Sequence, residues 1–217
     1  MRLYLFISIF VMFIFPSGKT QTHDGRAQKI LESVAKRITS ATDVRWTFTL
    51  SISYPDETSR EFSGKYFQRA NHFRLDMPEY LIACDGSTQW NVDRSGKEIT
   101  IYDYEDPGQD DLTNPSNLLN IYNHPDFDYF LDFEGNQKGL AIKRFEFKPL
   151  KSNSDIFKIR LEVLNTNDIH AAEVFYKNGI KYYLNIEETH LNTGLSPALF
   201  SIDPESYPGF HVEDLRF

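Results

Sequence analysis

The chain has little cysteine and no recognisable catalytic metal motif, and both absences limit its function. Cys84 is the only cysteine among 217 residues, so no internal disulfide can form. We expect a buried, unreactive thiol there, because the residue ends a strand-like apolar run. The six histidines are scattered, with no His-x-x-x-His pair on a predicted helix, and no glycine-rich phosphate loop is present. These absences disfavour zinc hydrolases of the His-x-x-x-His type and nucleotide-binding enzymes.

The remaining candidate sites for chemistry are weak. Gly194–Ala198 superficially resembles a nucleophile elbow, but it lacks the second glycine and the strand-to-helix setting. Residues 187–190 lie on a predicted strand, where neighbours alternate between faces, so a solvated edge is the better interpretation. The acidic stretch 103–111 lacks EF-hand spacing, which favours a solvated loop over a calcium site. We therefore expect a protein that is not an enzyme and has no catalytic residues, metal or cofactor. A hydrolase remains the alternative if a catalytic cluster were found.

Positive charge is also scarce. The chain has 23 Lys and Arg against 31 Asp and Glu, a net charge of −8. Residues 1–22 hold two cations, Arg2 and Lys19, and no acid, so without them the charge becomes −10. A chain this acidic is a poor candidate for binding nucleic acid or anionic membrane surfaces.

Only one long apolar run is present, and it lies at the start of the chain. Arg2 precedes the apolar residues 3–15, and Pro16, Ser17 and Gly18 follow. The run is shorter than the about 20 residues that a membrane-spanning helix needs. We interpret residues 1–22 as a cleaved signal peptide, with the cut somewhere in 18–22, and the alternative is an uncleaved anchor. Residues 23–217 are then expected to form a single exported domain.

The sequence after residue 43 indicates a sheet. Between Trp46 and Tyr54, bulky apolar residues alternate with Thr and Ser, as in a strand with one apolar and one polar face. Asn178-Gly179 predicts a type I′ hairpin turn. Short strands separated by turns predict an antiparallel sheet or barrel. The predicted strands are 46–54, 62–69, 73–77, 80–84, 89–92, 98–102, 142–147, 157–163, 172–176 and 180–189, with a last edge segment at 212–217.

Two helices are predicted beside these strands. Gly25–Thr42 carries apolar residues at helical spacing along one side, with Asp24 as the candidate N-cap. Pro115–Tyr122 begins with an Asn-Pro pair suited to a helix start. The second helix lies in an insertion at about 103–133, rich in aspartate and aromatic residues, which we expect to fold over the sheet as a lid.

The apolar face of the sheet is the candidate functional surface. Aromatic residues make up 15% of the chain, and two short helices are modest cover for so long a sheet. The simplest interpretation is an ordinary core; the alternative is a cavity for an apolar ligand. Arg69 and Arg74 are either solvent-facing or a latch that hydrogen-bonds the lid when no ligand is bound. The proposed cavity residues are Trp46, Phe48, Leu50, Ile52, Tyr66, Phe73, Trp90, Ile101, Leu118, Leu119 and Tyr122.

Several of these elements, in this order and spacing, resemble the LolA family of periplasmic carriers of outer-membrane lipoproteins. The similarity is carried by residues 64–69 (GKYFQR), 73–75 (FRL), 98–101 (EITI), 207–209 (YPG) and 212–216 (VEDLR). The resemblance implies a mainly β (α+β) fold, an unclosed and strongly curved antiparallel β-barrel with a helical lid. Arg69 is the nearest match to the family's latch arginine, although Ala70 stands where the family typically has proline.

The resemblance also implies a transport function in the periplasm. Such a carrier is expected to be a monomer, to accept acylated lipoproteins from an inner-membrane ABC transporter (LolCDE-like), and to release them to an outer-membrane acceptor. Shielding is physically necessary because each buried CH₂ is worth about 0.8 kcal/mol. The alternative is an envelope-sensing or lipid-binding half-barrel with a protein or glycolipid ligand.

Overall fold

A single sheet of twelve strands forms the frame of the protein in the computed structural model, which describes residues 24–105 and 121–217. One α-helix, α1 (Gly25–Thr39), precedes the sheet, and within the described ranges no helix has the length and apolar character needed to span a bilayer. Short 3₁₀ turns occur at Ile121–Asn123, Pro197–Phe200 and Pro204–Ser206. The strands are β1 (Val44–Ser53), β2 (Arg60–Arg69), β3 (His72–Asp76), β4 (Tyr80–Cys84), β5 (Thr88–Asp93), β6 (Glu98–Asp103), β7 (Phe127–Gln137), β8 (Leu140–Pro149), β9 (Ile156–Leu164), β10 (Ile169–Tyr176), β11 (Lys181–Leu191) and β12 (His211–Asp214).

The strand order confirms the predicted unclosed, curved sheet. The order is β12-β6-β5-β4-β3-β2-β1-β11-β10-β9-β8-β7, so β12 and β7 are its two edges. Every pairing is antiparallel except β12 with β6, which is parallel. The alternating strand at 46–54 becomes β1 at the centre, paired with β2 on one side and β11 on the other. A strand with two neighbours can bury a bulky face, which is what its pattern predicts.

The two faces of the sheet are covered by different parts of the chain. We call the face covered by α1 the inner face; it carries Trp46 and Phe48, which pack with the helix in one buried cluster. The opposite, outer face carries a second cluster on β4–β6. That second cluster is closed by Ile202, with Tyr207 and Phe210 packed against it. The sheet therefore has two apolar cores, one on each side.

The helix forms where the sequence predicts, although it ends at Thr39 rather than Thr42. The Asp24 carboxylate caps it by accepting from the N–H groups of Arg26 and Ala27, which lowers its pKa. The same carboxylate accepts from the Leu131 N–H, 3.3 Å away, on edge strand β7. The apolar side of the helix is buried against the inner face, through Ala27, Leu31, Val34, Ala35 and Ile38.

The predicted lid insertion extends too far in the sequence. Its last part, residues 127–133, is not a lid but belongs to the edge strand β7 (Phe127–Gln137), which pairs with β8 along its length. The strand was missed because Asp128 separates its buried aromatic residues Phe127 and Tyr129, and Asp132 interrupts the apolar pattern again. The predicted helix Pro115–Tyr122 lies outside the described residues except for its last two positions.

The β10–β11 hairpin is correctly placed, but its turn is not type I′. The Tyr176 N–H bonds to the Ile180 carbonyl and the Gly179 N–H to the Tyr176 carbonyl, which leaves a three-residue loop. Only Gly179 has a positive φ, of 87°, whereas type I′ needs two such residues. Asn178 instead uses its side-chain Oδ1 to accept from the Ile180 N–H, at 3.1 Å. This side-chain bond stabilises the longer loop.

Candidate functional site

The burial of the inner face changes along β1. Val44, Trp46 and Phe48 are buried beneath α1, and Trp46 stacks on the ring of Tyr66, with the ring centroids 5.6 Å apart. Leu50 and Ile52, further along the same face, are only half-buried. The first part of the predicted cavity lining is therefore core, as the simpler interpretation holds. The later part is partly open.

Other half-buried apolar side chains continue this open region on the inner face. Phe73 is one of them, and its ring lies 5.7 Å from that of Tyr104. They pack against the inner cluster without being enclosed by it. We call the following set the apolar stripe: Leu50, Phe73, Leu75, Met77, Val174 and Leu184.

Trp90 and Ile101 are not part of this region. Both are buried, but in the second cluster on the outer face, together with Ile202. Strand register explains the difference: Asn91, not Trp90, shares a cross-strand row with Leu75 through Ile82. The prediction that Trp90 and Ile101 line one cavity with the inner-face residues is therefore wrong.

Of the three lid residues predicted to line the cavity, Tyr122 lies among the described residues. Tyr122 lies in the 3₁₀ turn Ile121–Asn123 and packs, half-buried, against the inner cluster. Leu118 and Leu119 lie outside the described residues. Their assignment to the cavity stays a prediction.

Arg69 and Arg74 contact a different segment from the one predicted. Both lie on the outer face, where Arg69 donates to the Leu195 carbonyl at 3.0 Å and Arg74 donates to the Leu199 carbonyl at 3.2 Å. These carbonyls belong to residues 192–210, which cross the outer face and which we call the strap. Among the described residues, the two arginines therefore fasten the strap rather than a lid. Register places them there, since Arg74 is opposite Phe67 and Ala83.

A buried aspartate holds the start of the strap. The Asp43 carboxylate accepts from the Thr193 N–H and hydroxyl, both at 2.7 Å, and from the Gly194 and Leu195 N–H groups at 2.9 and 3.3 Å. Burial opposes ionisation of this carboxyl, but the four hydrogen bonds outweigh it and lower its pKa to about 2. Sequence reasoning missed Asp43. Its only signal was an acidic residue directly before the most apolar strand.

A second ionic group lies on the outer face of β3, beneath the strap. Asp76 pairs with Arg74 at 2.9 Å and with Arg94 at 2.8 Å, and both arginine side chains are partly buried. Burial alone would raise the pKa of Asp76, but the hydrogen bonds from the two arginines outweigh it, so the pKa is lowered. The Arg74 Nε has no partner within the described part of the chain. Arg74 is therefore a structural residue under the strap.

The inner face of β5 and β6 is polar. The Tyr102 hydroxyl accepts from Gln89 Nε2 and Asn91 Nδ2, both at 2.7 Å, and Gln89 Nε2 is also 2.9 Å from Asn91 Oδ1. Burial raises the pKa of Tyr102. We call these three residues the polar triad. Sequence reasoning missed them because their strand neighbours Trp90 and Val92 are the more apolar, which made the triad look like the solvent side.

Across residues 24–105 and 121–217, no three His, Cys, Asp or Glu side chains are grouped so as to hold a metal ion. Cys84 is buried as expected, and burial raises the pKa of its thiol. The site is thus an apolar stripe bordered by a neutral polar triad. Such a surface is suited to binding an apolar or amphiphilic ligand.

Comparison with known proteins gives a family. The family model described as "Outer membrane lipoprotein carrier protein LolA" matches residues 41–203, which contain β1 to β11 and most of the strap. No curated protein matches the chain in sequence.

Several solved structures are similar to this chain. An uncharacterized conserved protein from Thermus thermophilus has a TM-score of 0.58 at 14% identity, covering 88% of this chain and 99% of that one. A LolA superfamily protein from Nitrosomonas europaea, NE2245, gives 0.42 at 15%, covering 82% and 98%. MucB, in its complex with MucA from Pseudomonas aeruginosa, gives 0.42 at 12%, covering 83% and 62%. At 14% identity, the likeness to the Thermus thermophilus protein concerns the fold alone.

Proposed function

The chain belongs to the LolA family of outer membrane lipoprotein carrier proteins, and we propose that it binds the acyl chains of lipoproteins on its inner face and carries them between the two membranes. The observation that carries this proposal is the apolar stripe. Side chains such as Leu50 and Phe73 are held on paired strands and are only half-buried. A contiguous row of apolar side chains that are only partly buried leaves apolar surface on which a ligand can bind.

The energetics favour a carrier over free diffusion of the cargo. Each acyl CH₂ removed from water is worth about 0.8 kcal/mol, so a multiply acylated peptide would be held in its membrane without a protein to receive it. A surface of half-buried side chains is also suited to release. Binding there is favoured by the free energy of moving the acyl chains out of water. The surface lacks the close shape complementarity to the chains that would make their release slow.

The partners follow from this proposal. The cargo is an acylated lipoprotein, received in the periplasm from an inner-membrane ABC transporter and passed to an outer-membrane acceptor. The signal peptide proposed at residues 1–22 supplies the export that such a location requires.

The direct test is binding of a fluorescent fatty-acyl probe, with one residue on each face of β1 substituted. Ile52 and Ser53 are neighbours that point to the inner and outer faces respectively. Ile52→Glu is expected to weaken probe binding at least tenfold, because it places a charge beside the apolar stripe. The matched control, Ser53→Glu, should bind as the unmodified protein does.

A second measurement identifies the cargo. Native mass spectrometry of the exported protein is expected to detect an acylated peptide or lipid of defined mass. Failure of the unmodified protein to bind the probe would contradict the carrier proposal. Recovery of a non-acylated protein partner alone would favour the sensing module over the carrier.

A further inference from the structure

The inner face changes from apolar to polar over three strands. One cross-strand row runs Trp46, Tyr66, Leu75, Ile82, Asn91 and Thr100. Strands are about 4.8 Å apart, so Asn91 lies roughly 10 Å from Leu75 across the sheet. The polar triad therefore adjoins the apolar stripe on one continuous surface. An amphiphilic molecule is the ligand chemistry that matches such a boundary.

A cleft lies at this boundary. It has a volume of about 340 Å³, with Met77 and Ile82 on its apolar side and Asn91 and Thr100 on its polar side. Met77 also belongs to the apolar stripe. A ligand with its chains on the stripe can thus place its polar part in the cleft beside the triad.

The triad has unused hydrogen-bonding capacity. The Tyr102 hydroxyl accepts from two amides, and no acceptor for its own proton is found among residues 24–105 and 121–217. Gln89 Oε1 likewise accepts from no group in those ranges. The triad can therefore donate to an ester or amide carbonyl and accept from a hydroxyl or an N–H.

The charges around the triad discriminate against anions. The inner-face positions of β3–β6 contain no Lys or Arg, and their only charged residues are Asp93 and Glu98, which line the cleft. Arg94, in the turn after β5, is held by Asp76 and by the carbonyls of Met77 and Pro78. Among the described residues that line the cleft, a phosphate or carboxylate would therefore meet two acids and no Lys or Arg.

We propose that the triad of Gln89, Asn91 and Tyr102 binds the uncharged polar linkage of an amphiphile, its ester, amide or hydroxyl groups, and that this end of the inner face rejects anionic head groups. The inference rests on the proposed function, because the acyl chains must occupy the apolar stripe. It adds a selection rule: neutral acyl-glyceryl or acyl-amide compounds bind, and anionic phospholipids with the same chains do not.

The test uses two soluble lipids that differ only by a phosphate, dioctanoylglycerol and dioctanoyl phosphatidic acid. Each is titrated against the full chain carrying the fluorescent acyl probe. Dioctanoylglycerol is expected to displace the probe at a concentration at least tenfold lower than phosphatidic acid. Asn91→Lys is expected to reverse this order, whereas Ser63→Lys, a charge added at an exposed outer-face position, should leave it unchanged.

Tyr102→Phe keeps the ring and removes the donor, so it tests the triad with little change in shape. It should weaken displacement by dioctanoylglycerol severalfold and leave phosphatidic acid as it was. Equal displacement by both lipids in the unmodified protein, or no effect of Tyr102→Phe, would overturn the selection rule while leaving acyl binding intact. If the probe itself does not bind, both the selection rule and the carrier proposal fail.

Discussion

The carboxylate of Asp43 bonds to both the backbone N–H and the hydroxyl of Thr193, each at 2.7 Å, although 150 positions separate the two residues in sequence. This contact joins the start of β1 to the start of the strap. Because the Gly194 and Leu195 N–H groups also point at the carboxylate, one buried side chain satisfies three backbone donors. The strap therefore begins at a fixed point on the sheet.

The first prediction concerns pH. The pKa of Asp43 is lowered from 3.8 to about 2 in the folded protein, so its ionised form favours folding. Its contribution is fully present above about pH 4 and is lost as the pH falls towards 2; it amounts to up to about 2 kcal/mol. Asp43→Asn should lower the free energy of unfolding at pH 7 by about this amount and flatten its decline between pH 4 and 2.

Urea denaturation at a series of pH values measures this effect. Asp56→Asn, at an exposed turn position, is the control and should leave the unfolding midpoint at pH 7 unchanged. A decline as steep in Asp43→Asn as in the unmodified protein would show that other carboxyl groups produce the acid sensitivity.

The second prediction separates the two arginines. Arg74 is mostly buried and bonds both the Leu199 carbonyl and Asp76, so Arg74→Leu should cost about 2 kcal/mol of stability. Arg69 is exposed and makes one bond, so Arg69→Leu should cost less than about 1 kcal/mol. Both variants should speed proteolysis within residues 192–210. If instead strap cleavage and stability were unchanged while probe release slowed, the arginines would act as a ligand latch after all.

The third prediction concerns a close approach of β2 to β1. A Cβ added at Gly64 would lie 2.7 Å from Phe48 Cζ and 3.0 Å from the Asp76 carbonyl oxygen. Gly64→Ala should therefore force the Phe48 ring aside and destabilise the fold by about 1–3 kcal/mol. Gly25→Ala is the matched control, because nothing lies within 4 Å of its added Cβ and alanine favours a helix. Thermal unfolding of both variants checks the difference, and equal melting temperatures would contradict it.

The fourth prediction distinguishes core from stripe on one strand. Trp46 is buried and stacks on Tyr66, so Trp46→Ala should lower the free energy of unfolding by about 3–5 kcal/mol. Leu50 is only half-buried, and Leu50→Ala should lower it by less than about 2 kcal/mol while weakening binding of the acyl probe. Comparable losses of stability in both would mean that Leu50 is covered in solution and does not belong to a binding surface.

Much of the fold is predictable from local pattern. The alternation in β1, the Asp24 cap and the turn at 177–179 depend on nearby residues, and each is found where the sequence places it. Edge strand β7 was missed because an edge tolerates charged residues such as Asp128 and Asp132, which reduce the usual contrast between a strand and a loop.

The candidate site was harder to predict from the sequence. The face of the sheet on which a side chain lies is set by strand register, and register depends on residues far away in the chain. Trp90 and Asn91 are adjacent, and which of them joins the inner face depends on pairing with Ile82 and, through it, Leu75. The same holds for Arg74, whose partner Leu199 lies 125 positions away. Sequence composition indicated an apolar surface, but only the pairing showed which side chains share it.

The late position of the strap along the chain has a consequence for how the protein matures. Ile202 completes the outer core, and β12 covers the edge of β6. Neither contact can form until nearly the whole chain has been synthesised. Contacts of such long sequence separation form slowly. During synthesis, the outer core and the β6 edge therefore stay incomplete until the last part of the chain leaves the ribosome.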